Sequence, residues 1–535
     1  MTNGRGQSRA VEGGPGVLRA LTLVVQLSVV ASYNGLHAQC ADGSPPPCRA
    51  AHADPGRTPE VAPNSVAVLY FDNLSPDTAD AYLADGLTEE ITSRLGGVQR
   101  LQIKRPSRDA ARRLRDTVPD YLVAVGRVLR VRYLVEGSVR RAGARVRVSV
   151  RLVKAANGFR IWGEDYDRAT SDLLVLQEAI AREVATGIAG RLVPTERAAL
   201  AARPTRNPEA FERFLRGNYY LTQRTPSSVA RAIEEYQAAV KLDPEFTSAL
   251  ARMARGYAAF LGAFPWDYGG APPESLLARA FAADDQALRY DPNSSDAWMA
   301  KAALLSVGDP RAFERARVAF ERAIALDPSN AEAHHGYAAY LRVLGDDSAA
   351  ATAYHRALAI EPQRAISLQG LGWLYLSARR YAEALRWLDS ALAVDPGFYL
   401  AFVRRARVHL LLDQTAEARS DAETAVRLGA GDRLSGQTVL ALVEGRLGDT
   451  LAARGRVDRL LRDLQHPERP SPSAAFLGAA LVAVGEPDRA VDFLEHVPRG
   501  VWVWSELRAP EFDPIRSDPR FQRLVEESRP PGAPK

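Results

Sequence analysis

Residues 365–396 read AISLQGLGWLYLSARRYAEALRWLDSALAVDP, and this stretch decides the fold. Its second half places Ala384 and Ala391 seven residues apart, on one face of a helix, where a small side chain lets a neighbouring helix approach closely. Pro396 ends that helix, because proline has no backbone N–H to donate and its ring clashes with the preceding turn. The stretch therefore predicts two packed helices and a turn into a next unit.

The same pattern recurs along the chain. Five prolines, each preceded by an acidic residue, follow one another at intervals of 48, 36, 34 and 34 residues, with alanines five and twelve positions before each. The prolines are Pro244, Pro292, Pro328, Pro362 and Pro396, and the alanines are Ala239, Ala287, Ala323, Ala357, Ala391, Ala232, Ala280, Ala316, Ala350 and Ala384. This pattern resembles the tetratricopeptide repeat. We predict an all-α tetratricopeptide superhelical solenoid of about eight units over residues 207–498, the last ones degenerate, with a loop inserted at 261–275.

The resemblance also implies a binding surface. In tetratricopeptide proteins the first helices of the stacked units line a concave groove that generally receives peptides or partner helices. The residues that match the inward positions are Arg255, His335, Arg342, Gln369, Trp373 and Arg407. Most are basic or aromatic, which suits an acidic or C-terminal peptide, although they do not reproduce the dicarboxylate clamp of chaperone-binding members. For each residue alone, the alternative is an ordinary solvated helix position.

Residues 64–194 predict an α/β domain. The apolar run Ser65–Phe71 is typical of a buried strand, and apolar residues at four-residue steps from Leu83 to Leu95 predict a helix. Val131–Arg140 and the alternating Arg145–Val153 predict a hairpin. With the remaining segments the order is β-α-β-α-β-β-β-α, a mixed sheet with helices packed against it.

Four stretches of this domain resemble the TolB amino-terminal-like family. They are AVLYFDNLS at 67–75, DGLTEE at 85–90, VEGSV at 135–139 and WGEDYDR at 162–168, in the order of the family. Tyr70 departs from the proline that members commonly carry there. The resemblance implies the fold and a bacterial protein, since such domains are often fused to repeat arrays, kinases, cyclases or DNA-binding modules. It implies no established ligand or reaction.

Two groups of polar side chains in this domain are candidates for a small-ligand pocket. Asp72, Asn73 and Ser75 follow a strand end, where α/β sheets often place ligand contacts. Asp85 and Glu89 lie at the start of a helix, where carboxylates complement the helix dipole. The alternative for all five residues is turn chemistry and helix capping.

The N-terminus predicts export. Ala20–Ala31 is an apolar run of signal-peptide length that follows three arginines. We expect a signal peptide or N-terminal membrane anchor over 1–38, which leaves the body periplasmic or associated with the cell envelope, with membrane contact through this segment only. A flexible Pro/Ala-rich linker over 39–63 contains Cys40 and Cys48, which leave a disulfide, and lipidation of the first, open. A second linker is expected at 195–206, and a C-terminal cap with a disordered tail at 499–535.

Charge gives no indication of nucleic-acid binding. The net charge of +5 is spread over 535 residues, so we expect no nucleic-acid partner. Arg145, Arg147 and Arg151 share one face of a predicted strand, but acidic residues on neighbouring elements favour an ordinary solvated sheet face.

No sequence motif of a common enzyme class is present. The chain has no P-loop, nucleophile elbow or HExxH motif, and its eight histidines suggest no metal site. We therefore expect a protein without catalytic residues, cofactor or metal. The first hypothesis is an exported scaffold that binds protein or peptide partners, with an α/β domain of sensory or assembly role. The alternatives are a signalling sensor whose α/β domain binds a small ligand and relays it through the repeats, and a cell-wall hydrolase, for which no carboxylate pair stands out. The sequence does not indicate the oligomeric state.

Overall fold

A computed structural model describes residues 61–106, 118–263, 272–308, 312–429, 433–464, 474–497 and 501–530, with Ala111, Arg115, Asp116, Arg499 and Ala533. The predicted export segment, Cys40, Cys48 and most of the first linker lie outside these residues, as does the middle of the predicted inserted loop. Within the described part of the chain, no helix combines the length and the apolar character needed to cross a membrane.

The first described region is a mixed sheet with helices against it, as predicted. The strands are β1 Ser65–Val68, β2 Asp72–Asn73, β3 Gln102–Lys104, β4 Tyr133–Ala142, β5 Arg145–Lys154 and β6 Arg160–Ala169; the helices are α1 Ala81–Gly96, α2 Tyr121–Leu129, α3 Leu173–Ala189 and α4 Pro194–Ala201. The order across the sheet is β3-β1-β4-β5-β6, and β2 also pairs with β4. Strands β3, β1 and β4 run parallel, whereas β5 and β6 are antiparallel to their neighbours. The alternating valines Val146, Val148 and Val150 of β5 are buried in the same apolar cluster as α1 and α3.

The apolar run Ser65–Phe71, expected to form one strand, is interrupted. Strand β1 ends at Val68, although the Leu69 N–H still donates to the Val135 carbonyl at 2.8 Å. The Phe71 N–H donates instead to the Thr88 hydroxyl of α1 at 3.0 Å. Because that donor is diverted to a helix, pairing with β4 resumes only at β2.

The arginine face of β5 is matched by carboxylates on the strands beside it. Arg145 pairs with Asp167 of β6 at 2.7 Å, and Arg151 lies 3.7 Å from Glu136 of β4. These pairs are exposed and contribute little to stability, but they balance the positive charge locally. The face therefore has the mixed charge of a solvated sheet surface.

Eight packed helix pairs follow in the described residues, which is the predicted solenoid. They are α5 Pro208–Thr222 with α6 Pro226–Leu242, α7 Thr247–Ala263 with α8 Pro273–Tyr290, α9 Ser295–Gly308 with α10 Phe313–Leu326, α11 Ala331–Leu344 with α12 Asp347–Ile360, α13 Ala365–Ser377 with α14 Tyr381–Val394, α15 Tyr399–Leu411 with α16 Thr415–Leu428, α17 Arg433–Arg446 with α18 Thr450–Asp463, and α19 Ala475–Ala483 with α20 Pro487–His496. All ten alanines of the repeat pattern have no exposed surface. The pattern therefore marks the places where helices meet.

The closest helix contacts lie at glycines of the first helices. A Cβ at Gly370 of α13 would stand 2.5 Å from the ring of Tyr354 in α12, and a Cβ at Gly217 of α5 would stand 2.4 Å from the ring of Tyr236 in α6. Both tyrosines are almost completely buried, so their rings have little freedom to move. At these positions only glycine fits.

We predict that Gly370→Ala destabilises the protein by about 1–3 kcal/mol through overpacking. Gly455→Ala in α18 is the matched control, since it adds the same methyl group inside a helix with no atom within 4 Å. The free energy of unfolding of the control is expected to rise by about 0.5–1 kcal/mol from helix propensity alone. Urea unfolding of both variants measures the difference. Equal effects of the two substitutions would contradict close packing at Gly370.

One buried carboxyl group makes the stability depend on pH. Asp284 of α8 is fully buried, 3.8 Å from the Lys301 ammonium. Burial raises its pKa to about 7, against the opposing effect of Lys301. The folded protein therefore holds a proton that the unfolded chain releases near pH 4, and the contribution of Asp284 to stability falls as the pH rises from 4 to 7.

We predict that Asp284→Asn removes the loss of stability that Asp284 causes as the pH rises. The free energy of unfolding of the variant should exceed that of the wild type by an amount that grows from pH 4 to pH 8, reaching on the order of 4 kcal/mol. Urea titrations at pH 4, 6 and 8 measure the difference at each pH. A difference that does not change with pH would show that Asp284 titrates normally.

Three C-terminal elements complete the described chain. They are α21 Val501–Leu507, a 3-10 helix at Pro510–Ile515 and α22 Pro519–Ser528. Phe512, Phe521 and Leu524 are buried in the apolar cluster of the last three helix pairs. Helix α21 packs against α19 of the last pair and also against α11, four pairs earlier.

Candidate partner-binding groove

The chain's own C-terminal segment crosses the first helices of several pairs. The Trp502 indole N–H donates to the Ser306 carbonyl of α9 at 3.2 Å, and Arg342 of α11 donates to the Ser505 hydroxyl at 3.4 Å. We call residues Val501–Ile515 the groove segment. Its contacts follow the inner side of the solenoid, where the sequence predicts a partner.

A buried ion triad holds the groove segment. Arg407 of α15, with 1% of its surface exposed, donates to Glu506 at 2.9 Å and to both carboxylate oxygens of Glu511 at 2.5 and 3.0 Å. Burial by itself would raise the pKa of Glu506, but Arg407 and Arg404 keep it below its usual value. The guanidinium of Arg407 also lies over the ring of Phe476, 4.3 Å from its centroid. One buried guanidinium therefore pairs with both carboxylates in a site largely removed from solvent.

Beside the triad, two arginines enclose an indole ring. The guanidinium carbons of Arg342 and Arg404 each lie 3.6 Å from the centroid of the Trp373 ring, so they stack on its two faces. Burial, with the nearby charges of Arg407 and Arg342, lowers the pKa of Arg404 to about 9, against the opposing charge of Glu506. Three guanidinium groups and an indole thus form one surface, and the groove segment supplies its two carboxylates.

A cavity of about 770 Å³ lies between the α/β domain and the inner side of the repeats. The α/β domain contributes side chains from the end of β1, from α1 and from the segment after β3, and the repeats contribute mainly first helices and the turns before them. The charged lining residues are Arg105, Arg224, Arg252, Arg255, Arg364, Glu89, Asp296, Asp327, Glu332, Glu361 and Asp395. The cavity is therefore strongly polar and close to neutral.

Ion pairs run along the cavity wall as a chain. Glu332 of α11 is 3.7 Å from Arg255 of α7 and pairs with Arg364, which in turn contacts Glu361 at 2.6 Å. Arg105, just after β3, reaches Glu361 at 3.4 Å and so joins the α/β domain to the fourth and fifth helix pairs. Burial would raise the pKa of Glu332, but the surrounding arginines hold it well below its usual value.

The six residues predicted for the groove fall into three groups. Arg255 lines the cavity, and Arg342, Trp373 and Arg407 lie under the groove segment. Gln369 and His335 lie on the first helices between these regions, the former buried and the latter with its Nδ1 3.1 Å from the Ser367 hydroxyl. Burial, followed by the charge of Arg364, lowers the pKa of His335 to about 3, so its imidazole is neutral.

The five residues predicted for a pocket in the α/β domain are not brought together on the cavity wall. Asp72 pairs with Arg115 at 2.5 Å, the Asn73 side chain accepts the Ser75 N–H at 3.0 Å, and the Ser75 hydroxyl accepts the Arg141 N–H at 3.0 Å. Asp85 is buried within α1. Of the five, Glu89 alone lines the cavity, where the Tyr70 hydroxyl donates to it at 3.4 Å. The Asn73 side chain thus makes the turn contact that was the alternative interpretation, whereas the Ser75 hydroxyl binds the backbone of β4.

The spacing from the repeat prolines identifies some residues of the site and misses others. Arg255, Trp373 and Arg407 stand eleven positions after a repeat proline, a register that marks them as inward. Arg404 stands eight positions after one, where earlier repeats carry Gly336 or Gly370, so the register does not mark it as inward. Glu506 and Glu511 lie beyond the periodic region, so no register applies to them.

The described part of the chain contains no cluster of side chains that could hold a metal ion. No three His, Cys, Asp or Glu side chains there are close enough together to do so. The chemistry that the site offers is recognition by charged hydrogen bonds and by cation–π stacking.

We predict that Arg407→Gln releases the groove segment. The substitution removes the guanidinium that pairs with Glu506 and Glu511 and leaves Arg404 as the nearby cation, at a cost of about 3–5 kcal/mol. Hydrogen–deuterium exchange should then show loss of protection in 501–515 while α15 remains protected. Arg489→Gln, which breaks the exposed pair with Asp458 at 2.7 Å, is the control and should change nothing in the segment. Unchanged protection in the Arg407 variant would mean that the triad does not hold the segment.

Comparison with known proteins finds a tetratricopeptide repeat in one part of the chain. A family model described as tetratricopeptide repeat matches residues 367–398. Two solved structures are each 20% identical: a thermophilic TPR protein of Thermus thermophilus, covering 38% of this chain and 99% of that one with a TM-score of 0.32, and PilW, a widely conserved type IV pilus biogenesis factor, covering 41% and 94% with a TM-score of 0.34.

A curated relative adds a second similarity. The chain is 31% identical over 212 residues to a putative adenylate cyclase 3 of Rhizobium meliloti (strain 1021). The match covers 40% of this chain and 35% of that protein. The chain thus spans about a third of the length of this relative.

Proposed function

Because the chain carries tetratricopeptide repeats, which form protein-interaction scaffolds, we propose that it is an exported, non-enzymatic scaffold for a protein or peptide partner. The partner lies along the inner side of the repeats. The observation that carries the proposal is the cavity of about 770 Å³ between the α/β domain and the first helices.

The size and the lining of the cavity suit part of a peptide. Its volume lies within the range of about 300–1,000 Å³ usual for ligand sites. Guanidinium and carboxylate groups from several helix pairs line the wall. A partner with charges of both signs can therefore take over ion pairs such as the one between Arg255 and Glu332. The α/β domain contributes one wall, which gives it the role of completing the site.

Export rests on the sequence of the N-terminal segment. Ala20–Ala31 is apolar, is preceded by Arg5, Arg9 and Arg19, and is too short for a comfortable transmembrane helix. The resemblance to TolB amino-terminal-like domains is in keeping with a bacterial protein. We therefore propose that the body works in the periplasm or at the cell envelope.

A second candidate function is a signalling sensor. It is favoured by the position of Tyr70, Glu89 and Arg105, which belong to the α/β domain but share one cavity with the repeats. A small ligand bound there would contact both parts, and the pair of Arg105 with Glu361 would transmit a change between them. Similarity to a protein named as a putative adenylate cyclase supports a regulatory setting.

Photo-crosslinking in cells tests the scaffold function. A crosslinking residue at Ser248, on the cavity wall, is expected to capture a defined partner in the envelope fraction, where mass spectrometry identifies it. Arg255→Glu should weaken capture about tenfold, as expected when one charged contact worth about 1.4 kcal/mol is lost. The control position is Ser348, which is exposed on the second helix α12.

Equal capture from Ser248 and Ser348, or capture from neither, would contradict binding on the inner side. Recovery of the protein in the cytoplasmic fraction would contradict export. A partner that is captured from the cavity position but is unaffected by Arg255→Glu would place the contact elsewhere on that wall.

A further inference from the structure

The groove segment has the features that the groove residues predict for a partner. Its sequence, VWVWSELRAPEFDPI over 501–515, combines a short helix, two tryptophans and two carboxylates that meet arginine. Its apolar side, with Val503 and Leu507, packs in the cluster around α19, whereas Ser505 and Glu506 face Arg342 and Arg407. The segment is bound as a ligand would be, through one apolar and one acidic side.

The surface under the segment does not balance its own charge. Arg342 and Arg404 stack on Trp373, and Arg407 lies near Arg404. Against these three cations the repeats bring Asp347, near Arg342, whereas Glu506 and Glu511 come from the segment. Arg342 and Arg407 are buried, and without counter-ions they would carry a large desolvation cost. The surface therefore requires an acidic occupant at all times.

We propose that the groove segment is an internal ligand, and that the surface formed by Arg342, Trp373, Arg404 and Arg407 binds an acidic, aromatic helical segment of a protein partner that takes its place. This inference rests on the proposed scaffold function and names the class of partner. The charge of the surface selects carboxylates, its bidentate arginine selects their geometry, and the neighbouring apolar cluster of α19 accepts large side chains.

A partner can displace the internal segment because exchanging one for the other changes the free energy little. The partner replaces one set of carboxylate–arginine pairs by another, so no charge is left buried and unpaired. The internal segment competes with the advantage of its tether, an effective concentration in the millimolar range. A partner segment therefore binds the resting protein weakly and binds tightly once the internal segment is weakened.

The test uses the full chain and a fluorescent peptide that copies residues 499–517. Fluorescence anisotropy compares the wild type with Glu506→Gln/Glu511→Gln, which weakens the internal segment without altering the arginines. We expect the peptide to bind the double variant at least about tenfold more tightly. Glu526→Gln/Glu527→Gln removes the same charge from exposed positions of α22 and should bind like the wild type.

A second measurement does not depend on the folding of the variant. In the wild-type chain, peptide at millimolar concentration should increase hydrogen exchange in residues 501–507, because it displaces the internal segment. A peptide with glutamine in place of both glutamates should have no such effect.

Three results would overturn the inference: equal affinity of the wild type and the double variant, equal binding of the glutamine peptide, or a concentration-dependent dimer formed through this segment, which would assign the surface to a second copy. If a partner is still captured at Ser248 but the peptide does not bind, only this inference is wrong and the proposed scaffold function stands. Peptide binding without capture at Ser248 would instead count against the cavity as the partner site.

Discussion

Close approach between helices at small residues is the constraint on which the rest of the structure depends. Ten alanines that recur in the repeats have no exposed surface, and glycines such as Gly217 and Gly370 leave room only for the tyrosine rings opposite them. Because each contact has the same geometry, the helix pairs stack in one register and their first helices share an inner side. Side chains hundreds of residues apart in sequence thereby reach one another there.

That inner side is held by charge. Arg407 forms ion pairs with Glu506 and Glu511 that are removed from water, so each charge needs its partner continuously. The pairs of Glu332 with Arg255 and Arg364 are partly exposed on the cavity wall. Buried pairs of this kind add little net stability but make a vacant site costly, which favours exchange of one acidic occupant for another. In our proposal, the same arginine–carboxylate pairing binds the partner and retains the C-terminal segment.

Periodicity explains how much could be predicted. The helix pairs and the inward positions of Arg255, Trp373 and Arg407 follow from spacing to the repeat prolines, and the alternating valines of β5 give the sheet. The break after Val68 could not be foreseen, since it depends on one hydrogen bond from Phe71 to Thr88. The groove segment was missed because its contacts join residues 99 to 196 positions apart, outside any repeat.

The most direct test of the account asks whether the segment occupies the groove in solution. The chain has only Cys40 and Cys48, so serine at both positions provides a background for single thiols. Thiol labelling of Ser505→Cys, against Arg342, is compared with Ser517→Cys, which is exposed just beyond the segment. The account predicts labelling at position 505 that is at least about tenfold slower and accelerates with an acidic peptide, since about 1.4 kcal/mol of opening free energy gives that factor. Equal rates at the two positions would contradict it.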